Sequence, residues 1–411
     1  MPLTFQHSRL SNGLDIIAEI NPDAHSFAAG LFVKTGSRDE AHDVNGVSHF
    51  LEHMMFKGSD KYTWEDVNRI FDEIGARYNA FTTQEMTAYY ANVLPEFAEK
   101  SVEHLAHLLR PAIRNADFDT EKKVILEEIA MYLDDPGHRV YEKLMEVHFG
   151  KHPLGASILG SADAITALKR DQMSDYFRAR YGPKNMVLSV TGLLDFQQVV
   201  EWAKKYMGNW EPVNAKRDHS TPIVTAQNLA LADPKLNRQY TMGMTPGPSS
   251  QDDRRFAARV LSDVIGDSEG SRFYWALVDN AIAEDADFGF YPHDGCGSFY
   301  LSLTTSPDRA DEALTIAKAE LERVKQDLSD DEIERARNKI ASSLVLSGEI
   351  PMGRMRSIGS QWLYNEEYRS LEKDMATLQA VNRQTMHELM REFPFEPMTI
   401  VTLGPGEEVV G

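Results

Sequence analysis

Cysteine, basic residues and long apolar runs are scarce in this 411-residue sequence. Cys296 is the single cysteine, which excludes an internal disulfide framework. No apolar stretch approaches the ~20 residues of a membrane-spanning helix, and the start Met-Pro-Leu-Thr-Phe-Gln-His carries neither a basic nor an apolar signal region. We therefore predict no membrane span and a cytoplasmic location. A periplasmic location would require that a signal peptide had been removed.

Positive charge is in deficit, because 43 lysine and arginine residues face 63 aspartate and glutamate residues, for a formal net charge of −20. Such a chain repels the phosphates of nucleic acids and anionic membrane surfaces, so we expect neither as a partner. The length exceeds what one hydrophobic core usually spans, and 42% hydrophobic residues supply ample core. Two domains are the natural expectation.

The most informative pattern is His-x-x-Glu-His, which begins at His49. On a helix, His49 and His53 lie one turn apart on the same face, so both can bind one metal ion. Glu52 projects about 100° from His53 and can reach a water on that metal. The residues from Val47 to Phe56 suit a helix, with Asn45 as its N-cap. Helices that bind no metal also contain this spacing, so the pentapeptide alone leaves both interpretations open.

A catalytic zinc site needs a third protein ligand, and the acidic segment 121–128 is the best source. Glu121 and Glu128 are seven residues apart and lie within about 20° of each other on a helix, whereas Glu127 is rotated about 100° from Glu128. One of Glu121 and Glu128 could bind the metal while the other orients a ligand histidine. The alternative is a solvated acidic face, which the residues alone favour for Glu121 and Glu127.

With Phe50-Leu51 inside the motif and Met54-Met-Phe-Lys-Gly-Ser59 after it, the chain resembles the inverzincin metallopeptidases, which include pitrilysin, insulin-degrading enzyme and the mitochondrial processing peptidase. The third ligand of that family is a glutamate about 75 residues downstream, and 74 residues separate His53 from Glu128. The resemblance therefore implies that Glu128 completes a site for one Zn²⁺ per chain and that Glu121 supports a ligand. Further matches are Leu10-Ser-Asn-Gly-Leu14, Gly36-Ser-Arg-Asp-Glu40, Asn79-Ala-Phe-Thr82, His152-Pro-Leu-Gly155 and Tyr181-Gly-Pro-Lys-Asn-Met186.

The resemblance implies a zinc-dependent endopeptidase that hydrolyses unfolded or extended peptides. Glu52 would act as general base toward a water on the zinc and later pass the proton to the leaving amine. Asn79, Ala80, Phe81 and Thr82 resemble the edge strand that binds an extended peptide through its backbone. For Ala80 and Phe81, ordinary strand packing is the alternative.

The resemblance also implies an α+β fold of two homologous halves, each a largely antiparallel sheet with helices packed on one face. We predict a catalytic zinc-binding domain over residues 1–212, a linker over 213–222 and a homologous domain without metal over 223–411. Strand-like runs cover Phe27 to Val33 and Met186 to Val190, and helical patterns cover 63–75, 96–110, 118–134 and 164–179.

The second half repeats the order of strand, helix and glycine found in the first. Gln239 to Met244 resembles a strand and Asp252 to Ile265 a helix, followed by Gly270. In that alignment Arg259 and Asp263 occupy the positions of the two histidines. The second half therefore lacks a metal triad.

One departure from the family concerns an arginine and a tyrosine seven residues apart, which in many members hold the substrate and stabilise the transition state. The start Ser271-Arg-Phe is present, but the two positions fall on Val278 and Asp285. We therefore expect a heterodimer in which a homologous subunit supplies the pair or a substrate surface. A homodimer is the alternative.

Two other classes of function compete with the enzyme. The chain could be a non-catalytic scaffold, like the family members built into respiratory complexes, although those commonly lose the zinc motif. It could also be a metal-binding interaction protein without turnover. The presence of Glu52, which zinc does not need as a ligand, argues against that class.

Overall fold

The structure is a computed structural model that describes residues 3–267 and 269–406. It contains two sheets and many helices. The strands are β1 (Thr4–Arg9), β2 (Asp15–Ile20), β3 (Phe27–Val33), β4 (Arg77–Thr82), β5 (Thr87–Val93), β6 (Met186–Gly192), β7 (Asn228–Ala232), β8 (Gln239–Gly247), β9 (Asp285–Pro292), β10 (Gly297–Thr305) and β11 (Thr399–Gly404). The α-helices are α1 (Val47–Met55), α2 (Trp64–Glu73), α3 (Ala98–Leu108), α4 (Asn115–Leu133), α5 (Pro136–Phe149), α6 (Ala162–Ala167), α7 (Arg170–Arg180), α8 (Phe196–Met207), α9 (Arg255–Gly266), α10 (Ala310–Asp327), α11 (Asp330–Gly348), α12 (Pro351–Asn365), α13 (Leu371–Ala380) and α14 (Arg383–Glu392).

The five strands of the second sheet repeat the order of the first, which has β1 as an additional edge strand, and this agreement confirms the predicted fold of two homologous halves. The first runs β1-β2-β6-β3-β5-β4 and the second runs β7-β11-β8-β10-β9. Neighbouring strands are antiparallel, except that β2 pairs with β6 and β7 pairs with β11 in parallel. The strand β9 thus holds the edge position in the second sheet that β4 holds in the first.

The chain forms two compact units that are discontinuous in sequence. One contains residues 1–130, 156–218 and 346–369, and the other contains 131–155, 219–345 and 370–411. The predicted division into 1–212 and 223–411 follows the two sequence halves. The packing units differ from those halves because each includes one helical segment of the other half. Residues 210–227, which include the predicted linker, form neither helix nor strand.

The sheet of the first unit is covered on both faces. Every residue of β3 is buried, as is every residue of β6, which is the pattern of strands with no solvent-facing side. Because side chains alternate along a strand, Ala28 and Phe32 point to one face and Phe27 and Leu31 to the other. Helix α3 packs on β3 and β5, and α12 packs on β3 and β6 from the opposite side.

Helix α12 is fixed to the first unit by apolar contacts and by one buried ion pair. Met355, Ile358 and Trp362 belong to the same core cluster as Ala28 and Phe32. The Arg354 guanidinium donates through Nε to Glu19 Oε1 at 2.8 Å and through a second nitrogen to Glu19 Oε2. Tyr368 Oη donates to the same carboxylate at 2.7 Å. The prediction placed helices on one face of this sheet, and in the structure α12 covers the other face as well.

The second unit repeats this arrangement with α5. Its side chains Val140, Leu144 and Phe149 cluster with Met244 of β8 and with Val401 and Leu403 of β11. On the other face, a second cluster gathers side chains of α9, α10 and α14 around Phe288 and Phe299. Each sheet is therefore enclosed by helices drawn from both halves of the sequence.

Among the predicted helices, one segment differs clearly from the observed elements. The helical pattern over 164–179 is divided into α6 and α7, because Lys122 Nζ donates to the carbonyl oxygens of Thr166 and Leu168 at 3.0 and 2.6 Å. Those bonds satisfy the end of α6, and the Gln172 side chain accepts from Lys169 N at 2.9 Å to begin α7. Across residues 3–267 and 269–406, no helix combines the length and apolar character needed to cross a membrane.

Candidate metal centre

The helix α1 has one polar face, because the side chains of its other face pack in the hydrophobic core. Phe50, Leu51 and Met54 are fully buried, which leaves His49, Glu52 and His53 on the half-exposed side. Phe50 stacks on Phe118 of α4 with ring centroids 4.8 Å apart. This contact fixes α4, which carries Glu121 and Glu128, beside the polar face of α1.

The N-terminus of α1 is held by a carboxylate that is distant in sequence. Gly46 is the N-cap, with φ of +90°, in place of the predicted Asn45. Glu40 accepts hydrogen bonds from Gly46 N and Ser48 N, both at 2.7 Å, and from Asn45 Nδ2 at 2.9 Å. Burial raises the pKa of Glu40 to about 7, although these hydrogen bonds act in the opposite direction.

Three predicted ligands converge. His49 Nε2 lies 3.8 Å from Glu128 Oε1, and His53 Nε2 lies 3.6 Å from Glu128 Oε2. One ligand atom from each residue falls within 4.8 Å of the other two, and in the described part of the chain this is the one such group of His, Cys, Asp or Glu residues. Glu127, the other acidic residue considered, is exposed.

These residues fit a zinc ion. Bonds of about 2.0–2.1 Å in a tetrahedral site place ligand atoms about 3.3–3.4 Å apart, close to the separations found here. Burial and the neighbouring His53 lower the pKa of His49 to about 4, so its ring is neutral at pH 7, as a ligand must be. The Nδ1 atom of His49 is buried without a hydrogen-bond partner among the described residues, and Nε2 is the atom that faces Glu128.

The ring of His53 is oriented by a hydrogen bond at Nδ1, the nitrogen that faces away from Glu128. Glu121 Oε1 accepts from His53 Nδ1 at 2.9 Å, which leaves Nε2 for the metal, and Lys57 Nζ lies 2.5 Å from Glu121 Oε2. Burial opposes the charge on Glu121, but the hydrogen bonds from His53 and Lys57 prevail and lower its pKa. Burial likewise opposes the charge on His53, yet the carboxylates of Glu121 and Glu128 raise its pKa.

The carboxylate of Glu52 lies at the same face and is bonded to β4. Thr82 Oγ1 donates to Glu52 Oε2 at 2.5 Å. Burial raises the pKa of Glu52, against the lowering effect of the Thr82 hydroxyl. A carboxylate with a raised pKa in a partly dry site is suited to accept and return a proton.

The predicted substrate strand, Asn79 to Thr82, is the end of the edge strand β4. Phe81 lies 6.3 Å from the Tyr90 ring and beside Arg356 of α12, which puts it on the α12 side of the sheet. By alternation, Ala80 and Thr82 point to the α1 side. Asn79 is exposed, and its Oδ1 accepts from Ala80 N at 2.9 Å.

A comparison with protein families covers most of the chain. Residues 15–162 match the family model described as insulinase, peptidase family M16, and residues 167–340 match the model described as the peptidase M16 inactive domain. The chain belongs to peptidase family M16.

Similar M16 proteins extend along the whole sequence. An uncharacterized zinc protease of Streptomyces coelicolor is 29% identical and covers 98% of this chain and 90% of its own. An uncharacterized zinc protease of Bacillus subtilis is 28% identical over 96% of this chain and 97% of its own. The crystal structure of a protease from Helicobacter pylori, 20% identical, has the same fold, with a TM-score of 0.91 over 98% of this chain and 100% of that one.

The second half of this M16 chain has no counterpart of the metal cluster in the described residues. Arg259 and Asp263 lie on α9, which packs on β9 as α1 packs beside β4. Val278 ends a short π-helical turn, and Asp285 begins β9. The metal-binding pattern is thus confined to the first half.

Two residues of the M16 site escape analysis of the motif alone. Glu40 caps α1 across a separation of six to eight residues and lies outside the His-x-x-Glu-His motif. Lys57 lies just after α1, and the spacing of the motif does not indicate its contact with Glu121 on α4. The hydroxyl bond from Thr82 to Glu52 carries no sequence signal, because it joins a strand to a helix 30 residues earlier.

Proposed function

We propose that this chain is a zinc-dependent endopeptidase that hydrolyses peptide bonds in unfolded or extended peptides. The observation that carries the proposal is the convergence of His49, His53 and Glu128 within 4.8 Å, with the carboxylate of Glu52 on the same helix face. A metal-binding protein without turnover needs only the three ligands. The additional carboxylate of Glu52, held by its own hydrogen bond, supports catalysis.

The proposed mechanism assigns one task to each residue. His49, His53 and Glu128 would hold the ion, and Glu121 with Lys57 would keep His53 in the tautomer that binds it. When bound, zinc supplies a Lewis acid for the scissile carbonyl and a water of lowered pKa. Glu52 would take the proton of that water and deliver it to the leaving amine.

The proposed substrate site is the outer edge of β4. Among the described strands, β5 alone pairs with β4, so the other edge of β4 offers backbone N–H and C=O groups to an added strand. A peptide bound in this way is extended and is held chiefly by main-chain hydrogen bonds. This mode favours unfolded segments over folded proteins.

We further propose that the chain acts as a catalytic subunit of a dimer. The proposal is supported by Val278 and Asp285, which stand where many relatives carry the substrate-holding arginine and tyrosine. A homologous partner would supply those side chains or a substrate surface. Light scattering and affinity purification of the native protein would distinguish a homodimer, a heterodimer and a monomer.

The test of the proposed activity compares the wild-type chain with Glu52→Gln. Both proteins are purified with zinc, incubated with a mixture of unstructured peptides with and without a chelator, and assayed by mass spectrometry. We expect chelator-sensitive cleavage by the wild type and a loss of about 10²- to 10⁴-fold in Glu52→Gln, because a positioned general base contributes that factor. The zinc content of Glu52→Gln should equal that of the wild type.

Two results would contradict the proposal. Glu52→Gln that holds zinc and cleaves at the wild-type rate removes the assigned role of Glu52. A wild-type chain that binds zinc and cleaves nothing, even with the partner that copurifies with it, favours the scaffold function. Cleavage only in the presence of that partner supports the dimer.

A further inference from the structure

We infer that Thr82 is a positioning residue: its hydroxyl holds one oxygen of the Glu52 carboxylate and leaves the other oxygen to exchange the proton. This inference rests on the proposed function and adds to it a residue that the sequence had indicated as substrate-binding. The bond from Thr82 Oγ1 to Glu52 Oε2 is 2.5 Å, within the range of a short bond from a hydroxyl to a carboxylate.

The hydroxyl is the single group that anchors this carboxylate. In residues 3–267 and 269–406, no other hydrogen bond or ion pair reaches Glu52. A glutamate side chain on a half-exposed helix face has three rotatable bonds and several rotamers. One strong bond to a fixed donor selects among those rotamers, so the carboxylate is oriented before any substrate arrives.

The donor is fixed because β4 is itself packed against the end of α1. Tyr78 lies on the same face of β4 as Thr82 and stacks on Phe71 of α2, with ring centroids 4.0 Å apart. The Tyr78 ring also lies 6.3 Å from Phe56, the residue that follows α1. The aromatic contacts of Tyr78 and the hydrogen bond of Thr82 thus hold β4 in place beside α1.

A hydroxyl that donates its proton to Glu52 cannot donate that proton to a peptide. Thr82 would therefore contribute to the proposed peptide site only through its backbone, while its side chain acts on the base. The same strand then aligns the scissile bond and the carboxylate, so that a peptide bound in the correct register meets a correctly oriented Glu52. The role predicts an effect on the turnover rate and none on peptide affinity.

The test uses two substitutions of Thr82 in the full zinc-loaded chain. Thr82→Val keeps the shape and removes the donor, and Thr82→Ser keeps the donor. With an internally quenched unstructured peptide, we expect kcat of Thr82→Val to fall about 10- to 100-fold, the scale of a misplaced catalytic group, with KM unchanged within about twofold. Thr82→Ser should recover most of kcat.

The matched control is Thr83→Val. The Thr83 hydroxyl accepts from Glu85 N and Met86 N at 3.1 and 3.0 Å in the β4–β5 turn and makes no bond to Glu52. The substitution Thr83→Val should lower the melting temperature while leaving kcat close to the wild-type value. An equal loss of kcat in Thr83→Val would mean that a loosened hairpin, rather than the missing donor, explains the effect, and would overturn the inference.

A readout that does not need turnover separates this inference from the proposed function. Crystal structures of the chain should show one Glu52 conformer in the wild type and in Thr82→Ser, and several in Thr82→Val. This holds even if the wild type cleaves no peptide. A single unchanged Glu52 conformer in Thr82→Val overturns the inference. So does a loss of peptide affinity when Thr82→Val is introduced into Glu52→Gln, because that result assigns Thr82 to substrate binding.

Discussion

At the scale of single residues, charge alternates outward from the metal cluster. His53 contacts Glu121, and Glu121 contacts Lys57, so the acidic side chain lies between two basic ones. Glu121 is 5% exposed, and a carboxylate so far from water needs both partners to remain ionised. In the proposed metal site, its charge would keep the proton of His53 on Nδ1 and make Nε2 a stronger ligand.

Removing that charge should weaken metal binding without removing a ligand. We expect Glu121→Gln to lower zinc affinity about 10- to 100-fold, the usual cost of losing an outer partner of a ligand histidine. Competition with a chromophoric chelator measures the zinc affinity. Glu127→Gln is the matched control, since Glu127 lies on the same helix and is exposed. Similar affinities for the two variants would argue that Glu121 acts only through the net charge of the helix.

The sequence could predict these residues only in part. The seven-residue spacing puts Glu121 and Glu128 on one helix face, but it cannot decide which of them binds the ion. The structure separates them physically, because Glu121 faces the Nδ1 side of His53 while Glu128 faces the Nε2 atoms of both histidines.

At the scale of elements, the beginning of α1 depends on a glycine in the left-handed region. Gly46 has φ of +90°, and a Cβ atom there would lie 2.4 Å from the carbonyl oxygen of Leu159 and 2.7 Å from Ile165 Cδ1. The backbone of a second loop therefore approaches the N-terminus of the metal-binding helix too closely for any side chain. This approach determines where α1 begins and hence which way His49 points.

Substitution of this glycine should cost more than substitution of an unconfined one. We expect Gly46→Ala to lower the free energy of unfolding by about 3 kcal/mol or more, since steric overlap adds to left-handed strain. Gly75→Ala is the control, because Gly75 has φ of +59° and nothing within 4 Å of its Cβ position, and should cost about 1–2 kcal/mol. Urea denaturation measures both. Equal losses would show that the approach of Leu159 is not limiting.

Element spans were more predictable than element ends. The prediction for β3, Phe27 to Val33, matches the observed strand, and α1 ends one residue earlier than predicted. The start of α1 at Val47 was predicted correctly, but its N-cap is Gly46 and not Asn45. The capping carboxylate, Glu40, reaches the helix across a turn, and local propensity contains no information about such a contact.

At the scale of the whole molecule, each sheet obtains part of its cover from the other half of the chain. Periodicity shows that α12 has an apolar side, but not which sheet that side meets. The exchange of α5 and α12 was therefore not predicted, whereas the two homologous sheets were. Without α12, the face of β3 and β6 that carries Ala28, Phe32 and Val187 would be open to water.

The first unit should need this segment to fold. We expect residues 1–130, joined by a flexible linker to 156–218, to be soluble and cooperatively folded only when 346–369 is appended. Circular dichroism and thermal unfolding would compare the two versions. A third version with Met355→Asp and Ile358→Asp is the control, since both side chains belong to the shared cluster. Equal stability without 346–369 would contradict the expectation.

The position of α12 also sets an order of events during synthesis. The strand β6 ends at Gly192, whereas α12 begins at Pro351. At about 5–20 residues per second, a ribosome needs on the order of ten seconds to translate the intervening chain. Throughout that interval the nascent polypeptide contains all the strands of the first sheet without the helix that covers one of its apolar faces, and general chaperones recognise exposed apolar surface of this kind. The maturation of this M16 chain should therefore depend on such assistance more strongly than its final stability would indicate.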